Sequence, residues 1–365
     1  MARLLLISLG QLTGHILEAV ARSGAFREIV VAGRSPAHGI AKTNLARIGA
    51  AIEGRFPSIE FRQIDVNDLG TGAKIHAISP DVALAAPSML PWWKLDQLRG
   101  PKAEAARSMP FAGWLACHLA PMLAVRRAWA DSGLDVPWVG ASYPDVVNAI
   151  LHRTGAGPVC GVGNVDEIVP KIRLSVAAAT GCEPAAVDIR LVAQHALEYF
   201  VYREAEATAA EAPPFLIEAT VDGRDVSEIA RAALFRPCPI PYDLDFNRLT
   251  ASSALDLLGA LAGRRDIRTH VPAPDGLVGG YPVRVRAGAV ALDLPVEMDR
   301  AQAVASNLAS LPWDGLQSIA EDGTAVFTET TAVSLHALLG RAIDALHPRD
   351  APAMARALVA AVDGA

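Results

Sequence analysis

The chain has 365 residues, of which 33 are basic and 39 acidic, so its net charge is −6. This length corresponds to about two domains of ordinary size. The negative charge argues against a general nucleic-acid or membrane-surface binder, because both need clustered cations. A hydrophobic content of 52% excludes a disordered chain.

The four cysteines and the first residues of the sequence indicate the cellular compartment of the protein. Cys117, Cys160, Cys182 and Cys238 are scattered without a C-x-x-C spacing, which indicates reduced thiols and no zinc site. The apolar run after Arg3 is too short for a signal peptide, and no later run reaches the length of a membrane span. We therefore expect a soluble, cytoplasmic protein without a metal.

The first 150 residues alternate short apolar runs with helical periodicity. The pattern predicts strands over 3–7, 28–32, 59–64, 80–87 and 137–141, with helices after the first two strands and over 111–132. Strands that alternate with helices predict a doubly wound parallel sheet, the Rossmann arrangement. Residues 88–110 fit neither pattern and contain Trp92 and Trp93, so we predict a functional loop there.

After residue 150 the pattern changes. It predicts a long helix over 168–180, a strand over 187–192, mixed helices and a Gly/Pro-rich hairpin over 279–295. We therefore predict a dinucleotide-binding Rossmann domain over 1–150 and an α+β substrate and catalytic domain over 151–365.

The turn after the first strand is suited to a dinucleotide. A G-x-G-x-x-G loop lets the backbone approach a pyrophosphate at a helix N-terminus. This chain offers Ser8, Gly10 and Thr13 at those positions, so the motif is weak but its strand–turn–helix context is strong. We predict that Ser8, Gly10, Gln11, Leu12 and Thr13 bind the cofactor.

The end of the second strand indicates which cofactor. An acidic residue there holds the ribose hydroxyls of NAD, whereas an arginine accommodates the 2′-phosphate of NADP. Here Gly33, Arg34 and Ser35 follow the strand without an acid, which favours NADP over NAD. At the ends of the next two strands, Asp65 and the run Ala85–Ala86–Pro87 complete the predicted cofactor site.

The second half carries a more specific pattern. It runs from Gly163-Asn164-Val165-Asp166 through the helix with Lys171, then to Gly181-Cys182-Glu183-Pro184 and Val192-Ala193-Gln194-His195. With Ser142-Tyr143-Pro144-Asp145 before it and Thr250-Ala251-Ser252-Ser253 after it, this series resembles the lactate/malate dehydrogenase family. The resemblance implies an NAD(P)-dependent oxidoreductase with a catalytic histidine at His195, eleven residues after Pro184.

The departures from that family concern the substrate. Tyr143 stands where the family has a substrate-binding asparagine, and Lys171 stands where its carboxylate-binding arginine is expected. Asp166, or else Glu167, aligns with the family's helix aspartate only if residues are inserted. The resemblance thus implies the fold and the cofactor but leaves the substrate open.

We predict hydride transfer between a nicotinamide cofactor and a small carbonyl or hydroxy compound. His195 would be the proton donor, Asp166 its orienting partner with Glu167 and Glu198 as alternatives, Lys171 an anion anchor and Tyr143 a hydrogen-bond donor to the reacting oxygen. Two alternatives stay open: an imine- or opine-type reductase similar to saccharopine reductases, and a catalytically silent dinucleotide-binding protein. The apolar helix over 111–130 predicts a homodimer.

Overall fold

The N-terminal half of the chain forms a six-stranded parallel sheet in the strand order β3-β2-β1-β4-β5-β6. The computed structural model describes residues 2–91, 94–95, 99–100, 102–203, 210–263 and 265–363. Trp92 and Trp93 lie outside the described residues. The strands are Arg3–Ile7 (β1), Glu28–Gly33 (β2), Ser58–Gln63 (β3), Val82–Ala85 (β4), Trp138–Gly140 (β5) and Cys160–Gly161 (β6).

Helices cover both faces of this sheet, as the sequence predicts. They are Gln11–Ser23 (α1), Pro36–Ile52 (α2), Thr71–Ile78 (α3), Ala103–Ser108 (α4), Leu115–Ser132 (α5) and Pro144–Arg153 (α6). The strand pleat divides β1 between two cores: Leu4 and Leu6 pack on one face, Leu5 and Ile7 on the other. This double burial explains why β1 is apolar at every position.

Three smaller antiparallel sheets follow in the second half. The first contains Val187–Val192 (β7), Leu216–Val221 (β8) and Arg224–Asp225 (β9); the second Ile267–Pro272 (β10), Gly280–Arg286 (β11) and Ala289–Leu292 (β12); the third Leu316–Ile319 (β13), Ala325–Phe327 (β14) and Ala345–Leu346 (β15). The predicted fold class, a Rossmann sheet followed by an α+β part, is confirmed.

The remaining helices connect these sheets. They are Val165–Thr180 (α7), His195–Arg203 (α8), Ser227–Leu234 (α9), Asn247–Leu261 (α10), Arg300–Ala309 (α11), Leu311–Asp314 (α12), Glu329–Leu339 (α13) and Ala351–Asp363 (α14). Helix α10 packs against α1, and α14 packs against α5. Leu311, Leu316 and Leu358 share a core with β1 and α5. The division at residue 150 stays a prediction.

Helix α5 does not present the apolar surface from which the dimer was predicted. Trp114, Leu115, Leu119 and Met122 are each at most 2% exposed, because α3 and α14 of the same chain cover them. The apolar residues from which the sequence predicted a homodimer are therefore buried within the chain itself. Among the described residues, no helix is both long and apolar enough to cross a membrane.

Candidate active site

A cleft of about 660 Å³ opens at the carboxyl edge of the parallel sheet. We call it the edge cleft. Seven of the residues predicted to hold the cofactor line it: Ser8, Gly10, Gly33, Arg34, Ser35, Asp65 and Pro87. The other five, Gln11, Leu12, Thr13, Ala85 and Ala86, are not among its lining residues. The carboxyl ends of β1, β2 and β3 thus meet where an open parallel sheet binds its ligands.

The turn between β1 and α1 keeps the backbone of a dinucleotide loop without its first glycine. Ser8 has a φ of 81°, in the left-handed region that favours glycine. Gly10 caps α1, and a Cβ there would point into open space. No side chain caps the N–H groups of Gln11, Leu12 and Thr13, so the first turn of α1 is available to an anion.

Three arginines surround the edge cleft. Arg34, Arg127 and Arg356 line it, and none of them forms a salt bridge with any described carboxylate. The Arg127 guanidinium donates to the Asn67 carbonyl oxygen at 3.0 Å. Asp65 is the one carboxylate among the described lining residues, and its Oδ1 accepts from the Asn67 backbone N–H at 3.0 Å. The cleft is therefore electropositive, as a polyphosphate ligand requires.

A second group of polar side chains lies one strand further along the same edge. Ser142, at the end of β5, donates its hydroxyl to the carbonyl oxygen of Pro87 at 2.7 Å, and Pro87 lines the edge cleft. The next residue, Tyr143, has its ring centroid 5.6 Å from that of His195. This contact connects the edge cleft to what we call the His195 cluster: His195, Asp314, Tyr143 and Gln194.

Asp314 organises the His195 cluster. His195 starts α8 directly after β7, and its Nδ1 lies 3.0 Å from Oδ1 of Asp314. Oδ2 of Asp314 accepts from the Tyr143 hydroxyl at 2.9 Å and from the Gln194 amide at 2.6 Å. Because Nδ1 is engaged and the ring is 15% exposed, Nε2 is the nitrogen that can meet a substrate.

The position of His195 is fixed by its backbone as well as by its ring. The His195 backbone N–H donates to Oδ2 of Asp145, the acid of the turn after β5. Oδ1 of Asp145 accepts from the Asn164 side chain at 3.0 Å. Asp145 is fully buried, and burial raises its pKa to about 6, against the lowering effects of His195 and Asn164.

His195 is charged in the free protein. Burial by itself would lower its pKa, but Asp314, Glu198 and Asp145 outweigh that effect and raise the pKa to about 10. Although burial opposes it, the ion pair with His195 and the donors from Gln194 and Tyr143 lower the pKa of Asp314. The pair is therefore an imidazolium and a carboxylate at neutral pH.

Comparison with solved structures identifies proteins with a similar fold. A malate dehydrogenase from Cryptosporidium parvum matches with a TM-score of 0.58 at 12% identity, over 86% of this chain and 98% of its own. A malate dehydrogenase from Plasmodium falciparum matches with a TM-score of 0.57 at 9% identity, over 92% and 99% of the two chains. A Cryptosporidium parvum lactate dehydrogenase, solved with lactic acid and nicotinamide adenine dinucleotide, matches with a TM-score of 0.54 at 13% identity, over 86% and 98%.

The chain has the lactate/malate dehydrogenase fold. The resemblance inferred from the sequence is thus confirmed for the fold. No protein-family model and no curated protein matches the sequence.

Within this lactate/malate dehydrogenase fold, the predicted partner of His195 is wrong. The Asp166 carboxylate accepts from the Thr269 hydroxyl at 2.9 Å and from the His270 backbone N–H at 3.4 Å. These bonds tie Asp166 to β10, so Asp314 takes its place at His195.

Lys171, the predicted anion anchor, is bonded within the chain. Its ammonium group donates to the carbonyl oxygen of Leu234 at 2.8 Å and lies 5.4 Å from the ring centroid of Tyr202. It is 7% exposed, and its bond to Leu234 joins α7 to α9. Tyr143 lies in the His195 cluster, and its hydroxyl donates to Asp314.

Sequence reasoning missed Asp314 and Asp145 as site residues. Asp314 lies 119 residues after His195, so no local spacing rule connects the two. The sequence offers one local indication of Asp314, the short segment Leu-Pro-Trp-Asp, which has a proline at its second position and ends with an acidic residue. Asp145 belongs to the Ser-Tyr-Pro-Asp turn that the sequence analysis identified. The sequence does not show that its carboxyl group is buried without a lysine or arginine in a salt bridge.

Proposed function

We propose that this chain is an NADP(H)-dependent oxidoreductase that moves a hydride between the cofactor and a small carbonyl or hydroxy compound, with His195 as general acid and base. The observation that carries the proposal is the Asp314–His195 pair beside an electropositive cleft at the carboxyl edge of a parallel sheet. The solved dehydrogenases of the same fold support it.

The residues of the edge cleft fit a dinucleotide. The uncapped first turn of α1 and the open space at Gly10 suit a pyrophosphate. Arg34 at the end of β2 suits a 2′-phosphate, and the absence of an acid at that strand end favours NADP over NAD. When bound, the cofactor supplies or accepts the hydride.

The chain's own residues handle the proton. In the direction of reduction, Nε2 of His195 gives its proton to the substrate oxygen, and Nδ1–H stays on Asp314. Tyr143 and Gln194 hold Asp314 in place, and Asp145 holds the His195 backbone. Because the pKa of His195 is about 10, the free protein carries the proton that reduction consumes.

The test is a screen of ketones, aldehydes and imines with NADPH, followed by the loss of reduced nicotinamide absorbance. A His195→Asn variant should keep its affinity for NADPH and lose about 10²–10⁴ in turnover, the usual contribution of a positioned general acid. Turnover at the parent rate by this variant would refute the role of His195.

We also propose a homodimer and a cytoplasmic location. An apolar stripe on α2 and the residues after it supports the dimer: Leu45, Ile48, Ile52 and Phe56 are 55%, 61%, 82% and 81% exposed. Leu45, Ile48 and Ile52 lie three or four residues apart on α2, so they share one face of that helix, and Phe56 follows the helix end. Four free cysteines support a reducing compartment.

A further inference from the structure

Buried carboxyl groups outnumber basic groups around His195. Besides Asp314 and Asp145 there are two more: Glu198 on α8, which acts on His195, and Glu167 on α7, on which Glu198 acts. In the described part of the chain, no lysine or arginine forms a salt bridge with any of these four acids. Lys171, the lysine predicted to face the substrate, instead donates to the carbonyl oxygen of Leu234. Among the described groups of the site, His195 is thus the one cation, and Asp314 already neutralises it, so no unpaired cation is left for an acidic substrate.

Glu198 carries an unused hydrogen-bond acceptor. It follows His195 by three residues on α8, so the two side chains share a face of the helix. Glu198 is 2% exposed; its Oε2 accepts from the Tyr242 hydroxyl at 3.3 Å, and its Oε1 has no partner. A buried carboxylate oxygen without a donor is costly.

Glu167 forms a pair of neighbouring buried acids with Glu198. Its Oε2 accepts from the Asn164 backbone N–H at 2.9 Å, and its Oε1 accepts from the Thr250 hydroxyl. Glu167 is thereby held against α10, and the charge of Glu198 acts on it. Burial and Glu198 raise the pKa of Glu167, and burial raises the pKa of Glu198 to about 7 against the lowering effect of His195.

A second unpartnered polar atom belongs to a neighbouring histidine. His118 is 8% exposed, and its Nδ1 has no hydrogen-bond partner. The Phe111 ring contacts both histidines, with its centroid 5.6 Å from that of His118 and 5.0 Å from that of His195. Burial lowers the pKa of His118 to about 4, so this imidazole adds no positive charge for an anion.

We propose that the substrate carries a positively charged nitrogen, an ammonium or an iminium group, that donates a hydrogen bond to Oε1 of Glu198. This inference rests on the proposed function and names its substrate class. A cation would satisfy the free acceptor and offset the excess of buried acids, whereas a 2-oxo acid would bring a further negative charge among them.

The chemistry balances for both forms of this nitrogen. In an ammonium-bearing ketone, the hydride from NADPH adds to the carbonyl carbon, and the oxygen takes the proton from Nε2 of His195. In an iminium ion, the hydride adds to the carbon, the C=N π pair becomes the nitrogen lone pair, and that lone pair takes the proton. Each reaction leaves NADP⁺ and a neutral His195 that keeps its Nδ1–H on Asp314.

The first test is binding, with probes of equal length and different charge. Isothermal titration calorimetry would compare n-butylamine with n-butyrate, on the protein alone and on the protein saturated with NADPH. We expect the ammonium ion to bind at least about tenfold more tightly than the carboxylate, the discrimination of one charge-assisted hydrogen bond. Equal binding, or tighter binding of butyrate, would overturn the proposal.

Two variants locate the binding. Glu198→Gln should remove the preference for the ammonium ion, whereas the matched control Glu183→Gln, at an exposed position, should leave it unchanged. The charge preference of the parent protein stands as evidence even where Glu198→Gln fails to fold. A folded Glu198→Gln variant with the parent's preference would refute the assignment to Glu198.

Binding should also release protons. A bound cation stabilises the ionised forms of Glu198 and Glu167, so affinity for butylamine should rise as the pH rises through about 7. The charged and titratable groups that face this pair are His195, Tyr202, Tyr242, Asp145, Asp314 and Asp166. Titrations in buffers of different ionisation enthalpy measure the released protons, and proton uptake would contradict the proposal.

Turnover separates this inference from the proposed function. Aminoacetone and 1-pyrroline, with NADPH, represent the ammonium and the iminium forms, and acetone is the neutral control. Oxidation of NADPH by either cation in preference to acetone supports both proposals. Charge-selective binding without any oxidation of NADPH refutes the proposed function alone, and oxidation by acetone or a 2-oxo acid in preference to both cations refutes the inference alone.

Discussion

Replacing Asp314 by asparagine tests how the site holds its proton. The carboxylate is fully engaged: Oδ1 contacts Nδ1 of His195, and Oδ2 accepts from Tyr143 and Gln194. An asparagine keeps these two acceptor bonds only if its oxygen replaces Oδ2, and its NH₂ group then faces Nδ1. His195 would become a neutral imidazole with its proton on Nε2.

The size of the effect follows from the charges. The pKa of His195 is about 10 with Asp314 present, against an ordinary value of 6.5. Without that carboxylate, burial is opposed only by Glu198 and Asp145, so we expect the pKa to fall. Once the pKa lies one unit below the assay pH, the protonated fraction, and with it the reductive rate, is lower by about tenfold.

The assay is an NMR titration of the histidine ring signals. The signals of His195 are assigned as those that are missing from the spectrum of the His195→Asn variant. Asp322→Asn is the control, because Asp322 forms an exposed pair with His347 at 4.0 Å. It should leave the titration of His195 unchanged. A parent His195 that titrates near 6.5, or an Asp314→Asn variant that titrates like the parent, would refute the reasoning.

The same ion pair also links stability to pH. A folded-state pKa raised above the unfolded value stabilises the fold fully below about pH 6.5 and loses that contribution as the pH rises to about 10. The midpoint of urea unfolding of the parent should therefore fall over this interval. The Asp314→Asn variant should start less stable and show a flatter dependence.

Three further predictions concern the edge cleft and the surface. Arg34→Asp should weaken NADPH binding by about 1.5–3 kcal/mol and spare NADH, because a charge-assisted hydrogen bond to the 2′-phosphate is lost; fluorescence titration measures both affinities, and equal affinities in the parent contradict the preference. Ser8→Gly should stabilise the fold by about 1 kcal/mol, because φ at this position is 81°, and an unchanged or lower denaturation midpoint contradicts this reason. Ile48→Lys combined with Ile52→Lys should yield a species near 38.3 kDa in light scattering, while a parent that is already monomeric at micromolar concentration rules out the dimer.

The strands of the parallel sheet could be predicted from the sequence because burial on both faces leaves a continuous apolar run. The strands β1 and β7 begin and end where the sequence predicts. The place of His195 after β7 could be predicted because the family resemblance gives its distance from Pro184, which spans one strand and the turns beside it. These are local features, and local features are what a sequence displays directly.

The directions of side chains and the contacts between residues far apart in the chain could not be predicted from local patterns. Lys171 and Asp166 lie on the predicted helix, but whether a helical side chain faces a cleft depends on which elements pack around it. Helix α9 and strand β10 supply the carbonyl oxygen and the hydroxyl that hold these two residues. Only the packed chain brings Asp314 to His195.

The origin of Asp314 has a consequence for how the protein acquires activity during synthesis. Asp314 belongs to the segment whose Leu311, Leu316 and Leu358 complete the core under β1 and α5. A nascent chain that has emerged only to residue 300 already contains the dinucleotide turn and His195, but its histidine lacks its acidic partner. The proposed proton transfer therefore requires the residues after 300, and so does the complete edge cleft, because Pro352 and Arg356 line it.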